Sequence, residues 1–204
     1  MQKLTGVLKV SLDMLMEEIG EEPTKEILSD FSCPLNPDVE GFLKRKAMEF
    51  EKQRISRTQL VFASYKNKTV LVGYYTLATK SFNITKATLS ASTRKKITKF
   101  ATYNPDIKAY ILPAPLIGQL GKNFRNGYNK LISGDELLKM ACDDVQLTQS
   151  ILGGKVVYLE CEDKPFLLDF YGANGFVEFD RRKLDRDETD IDGEVLVQML
   201  RVFK

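Results

Sequence analysis

The sequence predicts a mixed α/β fold, and three observations carry that prediction. Residues 58–65 and 69–79 are runs rich in Val, Tyr, Phe and Leu, joined by the short polar link Lys66-Asn67-Lys68, which is the pattern of an antiparallel hairpin. Residues 107–161 read as strand, capped helix and strand, the order of a parallel crossover. A further helix and two strands, 176–179 and 194–203, complete the order. With 204 residues, 43% of them hydrophobic and 28% charged, the chain is long enough to bury a sizeable core as one domain over 1–204.

Each element has a local cause. Leu12, Leu15, Met16 and Ile19 stand at helical spacing, and Gly20 and Pro23 interrupt the acidic stretch behind them. Residues 1–30 therefore read as a short strand and a helix, an extension ahead of the core. Asn36 is a good N-cap and Pro37 suits the first helical position. The stripe Val39, Phe42, Leu43, Ala47 and Phe50 then predicts a helix over 37–54. After the hairpin, residues 82–105 break the strand pattern with Ser, Thr and Lys and read as an insertion between core strands, with a small basic helix at 92–101. The strand at 107–120 contains Pro113 and Pro115, neither of which can donate to a ladder, so it must be bent, bulged or at an edge there. Ser133 and Glu136 have capping-box spacing at the start of a helix that Gly153 and Gly154 end. A helix over 163–173 is stopped by Gly175, and the charged residues 180–193 read as a surface loop.

Composition removes several chemistries. There is no histidine, which excludes Ser-His-Asp and Cys-His nucleophile systems, histidine-ligated zinc and a histidine general base. Cys33, Cys142 and Cys161 are widely spaced without a CxxC pair, so neither a metal site nor a disulfide framework is expected, and a reducing cytoplasm fits. The N-terminal MQKLTGVLKV lacks a secretory h-region and no run approaches 18 apolar residues, so a soluble cytoplasmic protein without membrane contact is expected. The formal net charge is only +2, yet residues 80–130 hold ten Lys or Arg against the single acid Asp106. Such a basic middle is either a docking surface for a polyanion or a solvated lysine-rich face.

PAPLIGQLGKNF (113–124), the capped helix from Ser133 and KPFLLDFYGANGFVEF (164–179), with its FY-x-x-x-GF core of Phe170, Tyr171, Gly175 and Phe176, resemble the GNAT (GCN5-related) N-acetyltransferases. FSCPLNPDVEGFLKRKA (31–47) and GYYTLA (73–78) resemble the branch of that family containing tRNA-acetylating toxins of bacterial toxin–antitoxin pairs. The resemblance implies a GNAT fold, a central twisted, mostly antiparallel sheet flanked by helices whose fourth and fifth core strands splay, with acetyl-CoA as acyl donor and an amine as acceptor, aminoacyl-tRNA leading. It also implies an antitoxin as partner, and a homodimer is a further partner expectation. A small-molecule or protein amine is the second reading of the acceptor. A non-catalytic shell that binds nucleic acid or protein is the alternative from another class.

On that resemblance, Tyr171 is the acid that reprotonates the leaving thiolate; by spacing alone it and Phe170 read equally well as core aromatics. Ile117, Gln119 and Leu120 belong to the irregular strand expected to bond the pantetheine arm. Asn129, Lys130, Ser133 and Gly134 stand where the family's diphosphate loop Q/R-x-x-G-x-G/A falls, and only the last glycine of that pattern is kept. Arg94, Lys95 and Lys96, with Lys99, Phe100 and Tyr103 nearby, are the residues for gripping a nucleic-acid backbone and stacking bases. Glu160 is a candidate proton relay, and Cys161 reads as a buried strand cysteine rather than an acyl carrier.

Overall fold

The computed structural model describes residues 6–85, 90–186, 191 and 193–204. Lys86 of the basic stretch, residues 1–5 of the extension, and 187–190 and 192 of the charged loop lie outside the described residues. Eight strands hydrogen-bond in the order β1-β2-β3-β5-β6-β8-β7, with β4 on β5. These are β1 (Val7–Ser11), β2 (Arg57–Tyr65), β3 (Lys68–Thr85), β4 (Thr102–Asn104), β5 (Ala109–Lys122), β6 (Val156–Glu162), β7 (Val177–Lys183) and β8 (Val195–Val202). The β1–β2, β2–β3, β4–β5, β6–β8 and β7–β8 pairs are antiparallel, and β5–β6 is parallel, as the crossover pattern predicts.

The chain packs as two compact units. The first takes the chain up to Leu77 together with Gln119–Ala141. It contains α1 (Leu12–Ile19), α2 (Glu21–Ser29), α3 (Pro37–Gly41), a π turn (Phe42–Lys46) and α4 (Ala47–Lys52). The single helix expected before residue 30 is two, because Gly20 adopts φ +87°, closing α1 through its N–H to the Met16 carbonyl. Asn36 caps α3 as expected, its side chain accepting from the Val39 N–H at 3.1 Å. Phe31, Leu43, Leu60 and Tyr74 fill the core of this unit, and the Tyr74 hydroxyl donates to the Val39 carbonyl at 2.5 Å.

Close backbone approach replaces side chains where β3 meets β5 in this unit. A Cβ on Gly73 would lie 2.9 Å from the Gly121 carbonyl oxygen, and one on Gly121 would collide with Val39. Because a strand backbone cannot yield as a flexible side chain does, Gly73→Ala is expected to destabilise by about 1–3 kcal/mol. A shift of the denaturant midpoint at unchanged slope would report it, and an unshifted midpoint would mean that the two strands separate readily.

The second unit takes Ala78–Gly118 and Cys142–Lys204. It contains α5 (Ala91–Ile97) with a following 3-10 turn (Thr98–Phe100), the second half of α6 (Gly134–Leu152), and α7 (Pro165–Ala173). Phe82, Ile84, Leu112, Tyr158, Phe179 and Leu200 form its core, and the Phe82 ring packs 4.4 Å from Tyr158 and 4.8 Å from Phe179. Two expectations change here. β3 runs through Thr85 rather than stopping at 79, since Phe82 and Ile84 are buried between exposed Ser81, Asn83 and Thr85. Residues 180–183 belong to β7 rather than to a loop; as a sheet-edge strand it accommodates charges, and Arg181 pairs with Glu178 at 2.8 Å and also with Asp163.

Candidate functional site

β5 is continuous across both prolines, and its bond to β6 is brief. Only Leu116↔Tyr158 and Ile117↔Leu159 pair, immediately after Pro115, whereas β6 stays paired to β8 from Val156 to Glu162. From Glu160 onward, β6 therefore has no strand partner on the β5 side among the described residues. This is the splay that the resemblance implies, and the missing N–H groups at Pro113 and Pro115 interrupt donation along β5 upstream.

Tyr171 lies on α7, and the local sequence explains its setting. Pro165 starts the helix. Gly175, at φ +81°, ends it in the left-handed conformation, and the Phe176 N–H returns to the Tyr171 carbonyl at 3.0 Å. That reversal brings the Phe176 ring to 6.0 Å from Tyr171, with Phe170 at 4.9 Å on its other flank. The residue is 8% exposed, and its hydroxyl makes no hydrogen bond among the described residues. Burial, with the Cys161 thiol beside it, holds the phenol above its ordinary pKa and therefore protonated at neutral pH.

The neighbouring candidates on β6 are already engaged. Glu160 Oε2 accepts from Arg182 Nε and Nη2 at 2.9 and 2.7 Å, and Oε1 accepts from Gln198 Nε2 at 2.7 Å. Those bonds fix it as an ion-pair anchor between β6, β7 and β8 rather than an open proton relay. Cys161 is buried, and desolvation lifts its thiol to about 12, which removes it as a nucleophile.

In the first unit, Gln119 and Leu120 lie on the part of β5 beyond the β6 ladder, with Ile117 at its last pair. The loop that follows is a 3-10 turn, Arg125–Lys130, with left-handed Asn126 and Gly127. Lys122 Nζ donates to the Asn129 carbonyl at 3.1 Å, and Lys130 is exposed. At the start of α6 the capping box is closed: the Ser133 N–H and hydroxyl both donate to Glu136 Oε2, at 2.8 and 2.9 Å, and the Glu136 N–H donates to Ser133 Oγ at 3.1 Å. Ser133 is thus occupied by a carboxylate of its own helix. Gly134 opens α6 next to it.

Arg94, Lys95 and Lys96 fall on α5 in the second unit; the two lysines are exposed and Arg94 is half-buried. Phe100 and Tyr103 are 40% and 43% exposed, and Tyr103 packs on Tyr110 at 5.1 Å. Basic groups and partly uncovered rings therefore both reach solvent in this segment.

Sequence reasoning missed Asn123. Its side chain is buried and bonds four backbone groups: Oδ1 accepts from the N–H groups of Ser32 and Arg125, while Nδ2 donates to the carbonyls of Leu71 and Asp30. It was visible only as one member of the GKNF end of the strand motif. Among the described residues no group of three or more His, Cys, Asp or Glu could hold a metal ion, and no helix is long and apolar enough to cross a membrane.

No family model matches the chain, and no curated protein matches it by sequence. Solved structures do. KacT carrying a tyrosine-to-phenylalanine mutation aligns with TM-score 0.61 at 16% identity, over 94% of each chain. AtaT complexed with acetyl-methionyl-tRNAfMet aligns with TM-score 0.59 at 17% identity, over 94% of this chain and 93% of that one. AtaTR bound with AcCoA gives 0.57 at 15% identity, over 97% and 93%. At such identities the likeness is one of architecture. The fold of this chain is the GNAT fold, in the form found in the KacT and AtaT toxins.

Proposed function

We propose that the chain is an acetyl-CoA-dependent N-acetyltransferase that passes the acetyl group directly to a primary amine, with aminoacyl-tRNA as the acceptor. The observation that carries this reading is the end of the β5–β6 ladder at Ile117↔Leu159, which leaves strand backbone open for an amide-rich ligand. Structures of AtaTR with AcCoA and of AtaT with acetyl-methionyl-tRNAfMet share the fold and support the choice of donor and acceptor.

The residues fit the donor in part through backbone and in part through charge. Backbone groups at Ile117, Gln119 and Leu120 would bond the pantetheine amides. The diphosphate would rest near Asn129, Lys130, Ser133 and Gly134, where the positive end of the 19-residue α6 and the Lys130 ammonium attract anions. Because Glu136 holds the Ser133 donors, more of the attraction falls on Lys130 than in a glycine-lined loop. Bound there, the thioester supplies the activated acyl group, and Tyr171 holds the proton that the departing sulfur needs. Arg94, Lys95 and Lys96 would grip the tRNA backbone, with Phe100 and Tyr103 as stacking surfaces. An antitoxin peptide and a second copy of the chain are the partners this reading carries, as AtaT is solved with the C-terminus of AtaR.

The closed capping box favours one other reading, a GNAT shell that binds nucleic acid or protein without an acyl donor. Calorimetric titration with acetyl-CoA separates the two. The enzyme reading expects saturable binding in the wild type and affinity about tenfold weaker in Lys130→Ala, as for loss of one charge-assisted bond. Gly134→Val should also weaken binding. No heat of binding in the wild type would leave the shell reading.

A further inference from the structure

The segment from Asp30 to Glu40 carries three acids in different surroundings. Asp30 faces Arg125 at 3.4 Å. Glu40 is held by Lys44 Nζ at 2.7 Å and by the Cys33 N–H at 2.7 Å. Asp38 is half-buried, and no cation lies within ion-pair distance of it among the described residues. Its Oδ2 accepts one hydrogen bond, from Gln119 Nε2 at 2.9 Å, while Oδ1 accepts none. An uncompensated carboxylate out of full solvent contact is a place for a cation to enter.

Its position is fixed from both sides. Val39 and Phe31 pack where a Gly121 side chain would be, on the face of β5 that Gln119 shares by strand alternation. Asn123 pins the same segment through Ser32 and Asp30. Asp38 is therefore set over the stretch of β5 that lies beyond the β6 ladder.

We propose that Asp38 is the residue that receives the acceptor amine, an inference that rests on the acetyltransferase reading above. An amine is a cation at neutral pH and cannot attack until it has lost a proton. Asp38 Oδ1 takes an N–H of the ammonium and accepts its proton, while Gln119 holds the carboxylate through Oδ2. The freed lone pair forms the N–C bond to the thioester carbonyl carbon, and the C–S bond breaks with its electrons on sulfur. The nitrogen gives up a second proton, sulfur gains one as the thiol, and Asp38 returns its own to solvent, so that one proton is released for each amide formed.

The test uses the full chain as wild type, Asp38→Asn, Asp38→Glu and Gln119→Ala, the last leaving the backbone of β5 in place. Acetyl-CoA binding is measured by calorimetry, and acetyl transfer is followed with in vitro charged methionyl-tRNA and, separately, a lysine-containing peptide. Asp38→Asn should keep wild-type acetyl-CoA affinity and melting temperature while kcat/KM for the acceptor falls about a hundredfold. Asp38→Glu should retain more activity than Asp38→Asn. Gln119→Ala should lose about tenfold, as for one oriented charge-assisted bond, and this arm decides the matter if Asp38→Asn does not fold. Transfer within threefold of wild type in Asp38→Asn, or in Gln119→Ala where it stands in for it, overturns the assignment and leaves the enzyme reading intact. A wild type that neither binds acetyl-CoA nor acetylates removes that reading, and this inference with it.

Discussion

Tyr171→Phe is expected to lower acetyl transfer about a hundredfold to ten-thousandfold, the usual range for loss of a positioned acid, while leaving acetyl-CoA affinity and stability nearly unchanged. The structure makes this substitution clean. The hydroxyl has no hydrogen-bond partner among the described residues, so its removal orphans no protein group. The ring keeps its packing between Phe170 and Phe176. Since burial raises the phenol's pKa, Tyr171 stays protonated as pH climbs, and no alkaline loss of activity below about pH 10 should trace to it. Product formation by mass spectrometry, beside a thermal melt, reads both parts. In growing bacteria, arrest by the wild type and not by the mutant would support a toxin acting through this chemistry; full transfer activity in the mutant would assign Tyr171 to packing alone.

Asn123→Ala should be strongly damaging to the fold of the first unit, costing about 3 kcal/mol because four backbone groups lose their partner together. The Leu71 and Asp30 carbonyls would lose bonds of 2.8 and 3.3 Å, and the Ser32 and Arg125 N–H groups bonds of 2.9 and 3.0 Å. Asn123→Asp should not rescue it, because a carboxylate has no proton for the two carbonyls. Denaturant unfolding would register the loss as a lower midpoint. A stability within about 0.5 kcal/mol of wild type, the usual scale for surface changes, would show that water replaces the side chain at no cost.

What was legible in the sequence follows from how local each cause is. The Asn36 cap, Pro37, the Ser133–Glu136 box and Gly175 act within four residues of themselves, and each appears where the sequence places it. The hairpin and the crossover were likewise readable from apolar runs. Polar residues hid the continuation of β3 to Thr85 and of β7 to Lys183, because a strand with one wet face or at a sheet edge looks like a loop when charges fill the outward positions. Asn123 and Asp38 were illegible for another reason. Apart from the Arg125 N–H beside Asn123, their partners stand 52 to 93 residues away, so little in their neighbourhood announces what they bond. Tyr171 was found through a motif, and the structure supplies its physical cause: a left-handed glycine that folds Phe176 back over the ring.

Amide hydrogen exchange with and without acetyl-CoA tests most directly the claim that β5 past its ladder is the donor's binding strand. The N–H groups of residues 118–122 should exchange more slowly when acetyl-CoA is added, while those of β8, already paired to β6 and β7, stay the same. Unchanged exchange at 118–122 under saturating acetyl-CoA would contradict the account.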